Sequence, residues 1–232
     1  MSAAMDDSDI LKPGGDEPPM AAAADHLEVE VKFLLADLAA ARRRLMAIGA
    51  QPGAPRVHER NVRFDTADEA LLARQALLRL RQDTRVRLTY KGLAAQDAAS
   101  EAKIREEIEL AVEDFDRMAL IFSRLGLAAV QTYEKYRETF HWRDVEVVLD
   151  EMPFGTFVEL EGPDDTALMA AAAALGLDWS RRVLANYLAL MELARQTFDL
   201  PFRDLTFANF AQHPVDMGTL LPVCVLAEEP EW

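Results

Sequence analysis

Ionic residues recur two or four apart in short segments along this chain: Glu28, Glu30 and Lys32, then Arg79 and Arg81, then Arg85, Arg87 and Lys91. The pattern continues in Lys103, Arg105, Glu107 and Glu109, in Lys135 and Arg137, in Glu146 and Asp150, and in Glu159 and Glu161. Carboxylate oxygens suit Mg²⁺ or Mn²⁺, which keep several waters and are often held jointly by protein and substrate phosphates. Arginine grips phosphate oxygens through a planar two-point fork, and lysine acts as a compact point charge. Both sets together suit a polyanion handled beside a divalent cation.

A spacing of two is what a β-strand needs to bring side chains to one face. In the segment 28–33 the ionic residues share one face, while Val29, Val31 and Phe33 share the other. Leu78 and Leu80 back Arg79 and Arg81 in the same way, and Val86, Leu88 and Tyr90 back Arg85, Arg87 and Lys91. Strands are predicted at 57–65, 76–82, 85–91, 103–111, 132–141, 144–150 and 156–161. Helices are predicted at 37–48, 114–125, 165–175 and 181–195, with Gly49 and Gly126 just past the first two. Strands outnumber helices, so the class is α+β. Glu28-Val29-Glu30-Val31 and its helix parallel Glu107-Ile108-Glu109-Leu110 and its helix. Such an internally duplicated unit would let two curved antiparallel sheets close into a barrel without exposed edges.

At 232 residues and 50% hydrophobic content the chain can bury one substantial core. Residues 1–25, acidic and rich in Pro and Gly, read as a disordered tail. Residues 26–194 read as the domain, and 195–232 as an aromatic extension with no clear element that covers the barrel or a partner. A net charge of −15 argues against nucleic acid as a partner. Neither a membrane span nor a signal peptide is expected, which points to the cytoplasm. Cys224 is a lone spectator thiol, and His26, His58, His141 and His213 lack metal-ligand spacing.

Each segment also has a plain reading. Any one alternating strand is ordinarily a solvated one, and only the ordered set favours a site. Arg85, Arg87 and Lys103 read equally well as solvated strand ends. Glu146 reads as surface because Val148 interrupts its face. Arg42, Arg43 and Arg44 read as a solvated helix face, and Tyr187, Leu188 and Met191 as helix packing. Phe115, Met118 and Phe122 read as core.

Taken in order from about Leu27 to Met191, these segments resemble the CYTH domain, or triphosphate tunnel metalloenzyme, family. The resemblance is carried by Glu28, Glu30 and Lys32 of the first strand, by Arg79 and Arg81, and by Lys91 closing Leu88-Thr89-Tyr90-Lys91-Gly92. It continues in Arg105 with Glu107 and Glu109, in Lys135 and Arg137, and in Asp150, Glu159 and Glu161. Asn61, Phe64, Asp65 and Thr66 are similar to a segment that often precedes the arginine strand. The chain departs from cyclase-like members at Ala185-Asn186-Tyr187-Leu188, and Arg63 stands where some relatives have an aromatic residue.

The resemblance implies a closed eight-stranded antiparallel β-barrel, with helices packed outside and one or two Mg²⁺ or Mn²⁺ ions. It casts Glu28, Glu30, Asp150, Glu159 and Glu161 as metal ligands, and Lys32, Arg79, Arg81, Lys91, Arg105, Lys135 and Arg137 as the grip on a triphosphate-containing small molecule. Glu28, Glu30, Lys32 and Lys91 are the expected catalytic set, and a homodimer is an admissible assembly. The leading expectation is a triphosphatase acting on inorganic, nucleoside or thiamine triphosphate. The alternatives are a class IV-type adenylyl cyclase that makes cyclic AMP and pyrophosphate, and a non-catalytic polyphosphate-binding module.

Overall fold

A computed structural model describes residues 27–93 and 103–226. The acidic segment 1–25 lies outside the described residues. The strands are β1 (Leu27–Leu35), β2 (Gln51–Pro52), β3 (Val57–Asp65), β4 (Leu77–Gln82), β5 (Val86–Leu93), β6 (Lys103–Val112), β7 (Ala128–Trp142), β8 (Val145–Met152), β9 (Gly155–Gly162) and β10 (Val223–Cys224). The helices are α1 (Leu38–Ala47), α2 (Ala70–Ala73), α3 (Phe115–Arg124), α4 (Asp165–Leu175), α5 (Tyr187–Thr197) and α6 (Phe207–Gln212).

Local chemistry fixes the helix ends. Asp37, Asp114 and Asp164 each accept a backbone N–H of the first turn of α1, α3 and α4. Gly49 and Gly126 follow α1 and α3 at φ 76° and 84°, a left-handed conformation that glycine adopts without steric cost. The two strand–helix units are thus alike in their caps as well as their charge pattern. Helix α5 starts later than the expected 181, because the Asn186 side chain accepts from the Ala189 N–H while Trp179–Arg181 forms a separate 3-10 turn.

An antiparallel ladder runs β6-β5-β4-β3-β7-β8-β9, and β1 pairs with both of its ends. The β1–β9 register spans Val29–Leu35, whereas Leu27–Glu30 pair with β6. Two features correct the expected closed eight-stranded barrel. Among the described residues the sheet has ten strands, since β2 adds to β7 and β10 adds in parallel to Leu34 and Leu35 of β1. The edge of β1 that faces β6 is also shared: beyond Glu30, Lys32 exchanges backbone hydrogen bonds with Val183, and Leu34 follows against Val223. The chain after α4 returns to this edge, so one strand alone does not seal it.

The outer, apolar face of β1, β8 and β9 buries Val31, Phe33, Val147, Leu149 and Leu160 against Leu45 of α1 and Leu168 and Leu175 of α4. Each such side chain contributes about 1.5–3 kcal/mol when fully withdrawn from water. Helix α3 covers β3 and β4 through Phe122, which packs with Val62, Phe64 and Leu80. Its stripe is only half covered, because Ile121 and Leu125 remain exposed. The segment after 195, expected to lack a clear element, carries α6 and β10 and enters a core of its own. Leu205 is fully buried and bridges to Tyr133, while Phe210 and Met217 pack with Phe157 and Leu190. These elements are short and aperiodic, and tertiary contacts hold them in place of helix or strand propensity.

Candidate active site

The charged face of the sheet encloses a cavity of about 400 Å³. Glu30, Lys32, Arg79, Arg81, Lys91, Lys135, Arg137, Glu159 and Glu161 all line it. Strand register builds the acidic part. Glu30 of β1 stands opposite Glu161 of β9, and Lys32 opposite Glu159. Glu30, Glu159 and Glu161 therefore each offer an oxygen, and these oxygens lie within 4.8 Å of one another. Burial would raise the Glu159 pKa, but Lys32, Arg137 and Lys135 together hold it well below the usual carboxylate range. The Lys32 ammonium, 3.7 Å from Glu30 and 3.4 Å from Glu159, stays charged despite full burial for the complementary reason. Three crowded carboxylates, of which Glu30 and Glu159 are buried, form a hard-oxygen donor set that fits Mg²⁺ or Mn²⁺.

Facing this cluster, β4 and β5 supply the basic part. Arg81 reaches Glu109 at 2.8 Å and Glu59 at 3.4 Å, and Lys91 reaches Glu107 at 2.9 Å. Arg79 donates to the Tyr133 and Thr89 hydroxyls. The Nε atoms of Arg79, Arg81 and Arg87 are buried without a hydrogen-bond partner among the described residues. Unsatisfied buried donors on cationic side chains are costly. Arg87 pairs with Asp83, and burial together with neighbouring Arg81 lowers its pKa from the ordinary arginine value.

Asp150, grouped with the metal ligands at the level of sequence, is placed elsewhere. It is fully buried, accepts from Arg137 at two points and from Lys135 at 3.1 Å, and takes a 2.9 Å hydrogen bond from the Tyr187 hydroxyl. Its oxygens thus orient the basic pair and do not join the three-carboxylate cluster. Glu28 and Arg105 are cross-strand partners on β1 and β6, and their side chains lie outside the described residues.

Several cavity residues escaped the sequence reading. Glu59, 2% exposed, contacts Arg81 and Lys135. Burial would raise its pKa, yet Lys135, Arg137, Arg81 and Arg79 bring it down to about 2. The run His58-Glu59-Arg60-Asn61 is polar on both faces, so alternation gave no signal there. Tyr187, read as helix packing, lines the cavity with its ring 5.4 Å from the Lys32 ammonium, and burial followed by Asp150 raises its pKa well above the phenol range. Glu146, read as surface, also lines the cavity, and Val148, which interrupts its face, is itself buried. Arg87, Glu107 and Glu109, which the sequence reading placed on charged strand faces but outside the site, line it too. Of the helix arginines read as solvated, Arg42 instead bonds Glu138 at 2.8 Å.

An α+β fold with a large antiparallel-rich sheet thus gathers carboxylates against guanidinium and ammonium groups on its ionic face. The CYTH domain model matches residues 26–178, and the chain belongs to that family. A Methanocaldococcus jannaschii protein named "putative adenylate cyclase" is 31% identical over 137 residues, covering 58% of this chain and 76% of that protein. The fold is similar to a Vibrio parahaemolyticus structure described as a putative adenylate cyclase, with a TM-score of 0.60, 21% identity, and coverage of 70% of this chain and 95% of the other. It is also similar to a Hippeastrum structure described as a putative adenylyl cyclase with a dominant triphosphatase activity. There the TM-score is 0.52, the identity 16%, and the coverage 73% and 95%. Among the described residues no helix is long and apolar enough to cross a membrane.

Proposed function

We propose that this protein is a divalent-metal-dependent enzyme that hydrolyses a triphosphate. One observation carries the reading: Glu30, Glu159 and Glu161 converge within 4.8 Å on a cavity that Arg79, Arg81, Lys91, Lys135 and Arg137 also line. A pure anion binder would gain nothing from inward carboxylates, which weaken anion binding unless a cation bridges them. Glu30, Glu159 and Glu161, with Glu28 on the same strand face, would hold Mg²⁺ or Mn²⁺. When bound, the ion supplies charge neutralisation and a more acidic water.

The basic residues exchange their carboxylate partners for phosphate oxygens, with Arg79 and Arg81 gripping bidentately and Lys91 as a point charge. Asp150 and Tyr187 hold Lys135 and Arg137 in place without touching the substrate. Water oxygen bonds to the terminal phosphorus as the bridging P–O bond breaks, so orthophosphate and the shortened phosphate chain leave. The released proton passes to the acidic cluster. Rate enhancement rests on positioning and on stabilising charge as it develops, the main contributions in phosphoryl transfer.

The name of the M. jannaschii relative favours a second reading, in which a ribose hydroxyl of ATP attacks the innermost phosphorus and pyrophosphate leaves. The Hippeastrum description favours hydrolysis. The test incubates the purified chain with inorganic triphosphate, ATP and thiamine triphosphate, each with Mg²⁺ or Mn²⁺, and measures orthophosphate, pyrophosphate and cyclic AMP. Orthophosphate supports hydrolysis, cyclic AMP with pyrophosphate replaces it by cyclisation, and no product from any substrate leaves a polyphosphate-binding module.

A further inference from the structure

We propose that Tyr133 is a positioning residue for the phosphate grip: it fixes the Arg79 guanidinium, and residues 203–207 of the C-terminal segment fix Tyr133 in turn. The inference rests on the preceding reading, in which Arg79 holds phosphate oxygens. It brings into the site a segment that lies outside residues 26–178, the stretch that the CYTH model matches.

The support begins at a strand edge. On one side β7 pairs with β3 from Ala128 to Arg137, but on the other β8 pairs with it only from Tyr136 onward. An edge of that kind leaves N–H and C=O groups that need partners, and residues 203–207 supply them. The Leu205 N–H donates to the Thr132 carbonyl at 3.0 Å, and the Leu205 carbonyl accepts from the Glu134 N–H at 2.9 Å. Asp204 Oδ1 accepts from the Thr132 N–H at 2.8 Å. The Gln131 side chain donates to the Arg203 carbonyl at 2.7 Å, and the Glu134 carboxylate accepts from the Phe207 N–H at 3.1 Å. Leu205 is the parallel bridge partner of Tyr133, and both pack in the core that holds Phe210.

Inside the sheet the result is one oriented guanidinium. Tyr133 lines the cavity, and its hydroxyl accepts from Arg79 Nη1 at 3.0 Å, while Thr89 Oγ1 accepts from Nη2 at 3.1 Å. Arg79 differs in this from its neighbours. Arg81, Lys91 and Arg137 lie 2.8, 2.9 and 2.7 Å from carboxylates, whereas the Arg79–Glu107 separation is 3.9 Å. A carboxylate repels an arriving phosphate, but a neutral hydroxyl carries no charge to compete with it. Arg79 thus keeps both hydroxyl partners as it binds, and its planar fork is oriented beforehand.

The experiment removes the hydroxyl and leaves the ring that packs in the core. KM and kcat for inorganic triphosphate with Mg²⁺, and calorimetric affinity for a non-hydrolysable imido analogue of it, are measured for wild type, Tyr133→Phe, Arg79→Lys and the double variant. Tyr133→Phe should raise KM and weaken analogue binding about tenfold, with kcat held within about twofold. A merely destabilised fold would instead lower kcat through loss of active protein. In the Arg79→Lys background the same change should have no further effect, because the group it acts through is gone. Asp204→Ala should also raise KM, and Asp204→Asn, whose amide oxygen still accepts from Thr132, should not. Unchanged KM and affinity in Tyr133→Phe, or an equal loss with and without Arg79, overturns the role of Tyr133. Wild-type affinity in Asp204→Ala overturns the role of residues 203–207. If the wild type hydrolyses no inorganic triphosphate, the hydrolase reading fails separately and the analogue affinities decide the inference; a wild type that does not bind the analogue overturns it.

Discussion

Arg137 meets Asp150 at two points, Nε to Oδ1 at 2.8 Å and Nη2 to Oδ2 at 2.7 Å, and the two are register partners on β7 and β8. With Lys135 on the same carboxylate, the removal of Asp150 charge leaves two buried cations under-compensated. Asp150→Asn should lower the free energy of unfolding by about 3–5 kcal/mol, read from the urea midpoint. Mn²⁺ affinity of the folded protein should survive the change. Lost Mn²⁺ binding with intact stability would return Asp150 to the metal ligands.

The carboxylate cluster makes its own prediction without turnover. Mn²⁺ should raise the melting temperature of the wild type, by the equivalent of about 2.7 kcal/mol when the free ion reaches a hundred times its Kd. Glu161→Gln replaces one of the three converging carboxylates by a neutral amide, and it should abolish most of that shift. Identical ion-dependent melting in wild type and variant would contradict the assignment.

Acid should destabilise the protein in part through Glu59. Its folded pKa of about 2 lies below the ordinary 4.5, so the stabilisation is fully present above pH 4.5 and is lost as pH falls toward 2. The difference corresponds to about 3 kcal/mol. Glu59→Gln should be less stable than wild type at pH 7, and the gap should close through this window in pH-dependent urea unfolding. Parallel pH curves would show that Glu59 is not the titrating group.

Glu30→Gln keeps the shape of a cluster member and removes its charge. Turnover of triphosphate should fall by about 100-fold or more while circular dichroism remains that of the wild type, since developing charge is the main thing such a site stabilises. Retained activity at saturating Mg²⁺ would remove Glu30 from the reaction.

Much of this site was legible because a strand converts a spacing of two into a shared face. The residues Glu30, Lys32, Arg79, Arg81 and Lys135 needed no more than that rule, since apolar neighbours marked the opposite face at Val31, Leu80 and Tyr136. Glu59 was hidden because His58 and Arg60 leave no apolar face to contrast with it. Tyr187 was hidden because a helix residue that packs and one that caps a cavity look alike in a helical stripe.

The amino-acid order by itself determined the α+β class, the seven later principal strands with their ionic face, and the helix boundaries marked by Asp37, Asp114, Gly49 and Gly126, because these follow from local periodicity and capping. Only the tertiary structure decided which ions meet. The register of β1 on β9 sets Glu30 against Glu161, the register of β7 on β8 gives Asp150 to Arg137, and the returning C-terminal segment brings the Tyr187 hydroxyl to Asp150. Pairing across strands distant in sequence is a property of register, and the spacing of residues within one strand carries no record of its partner.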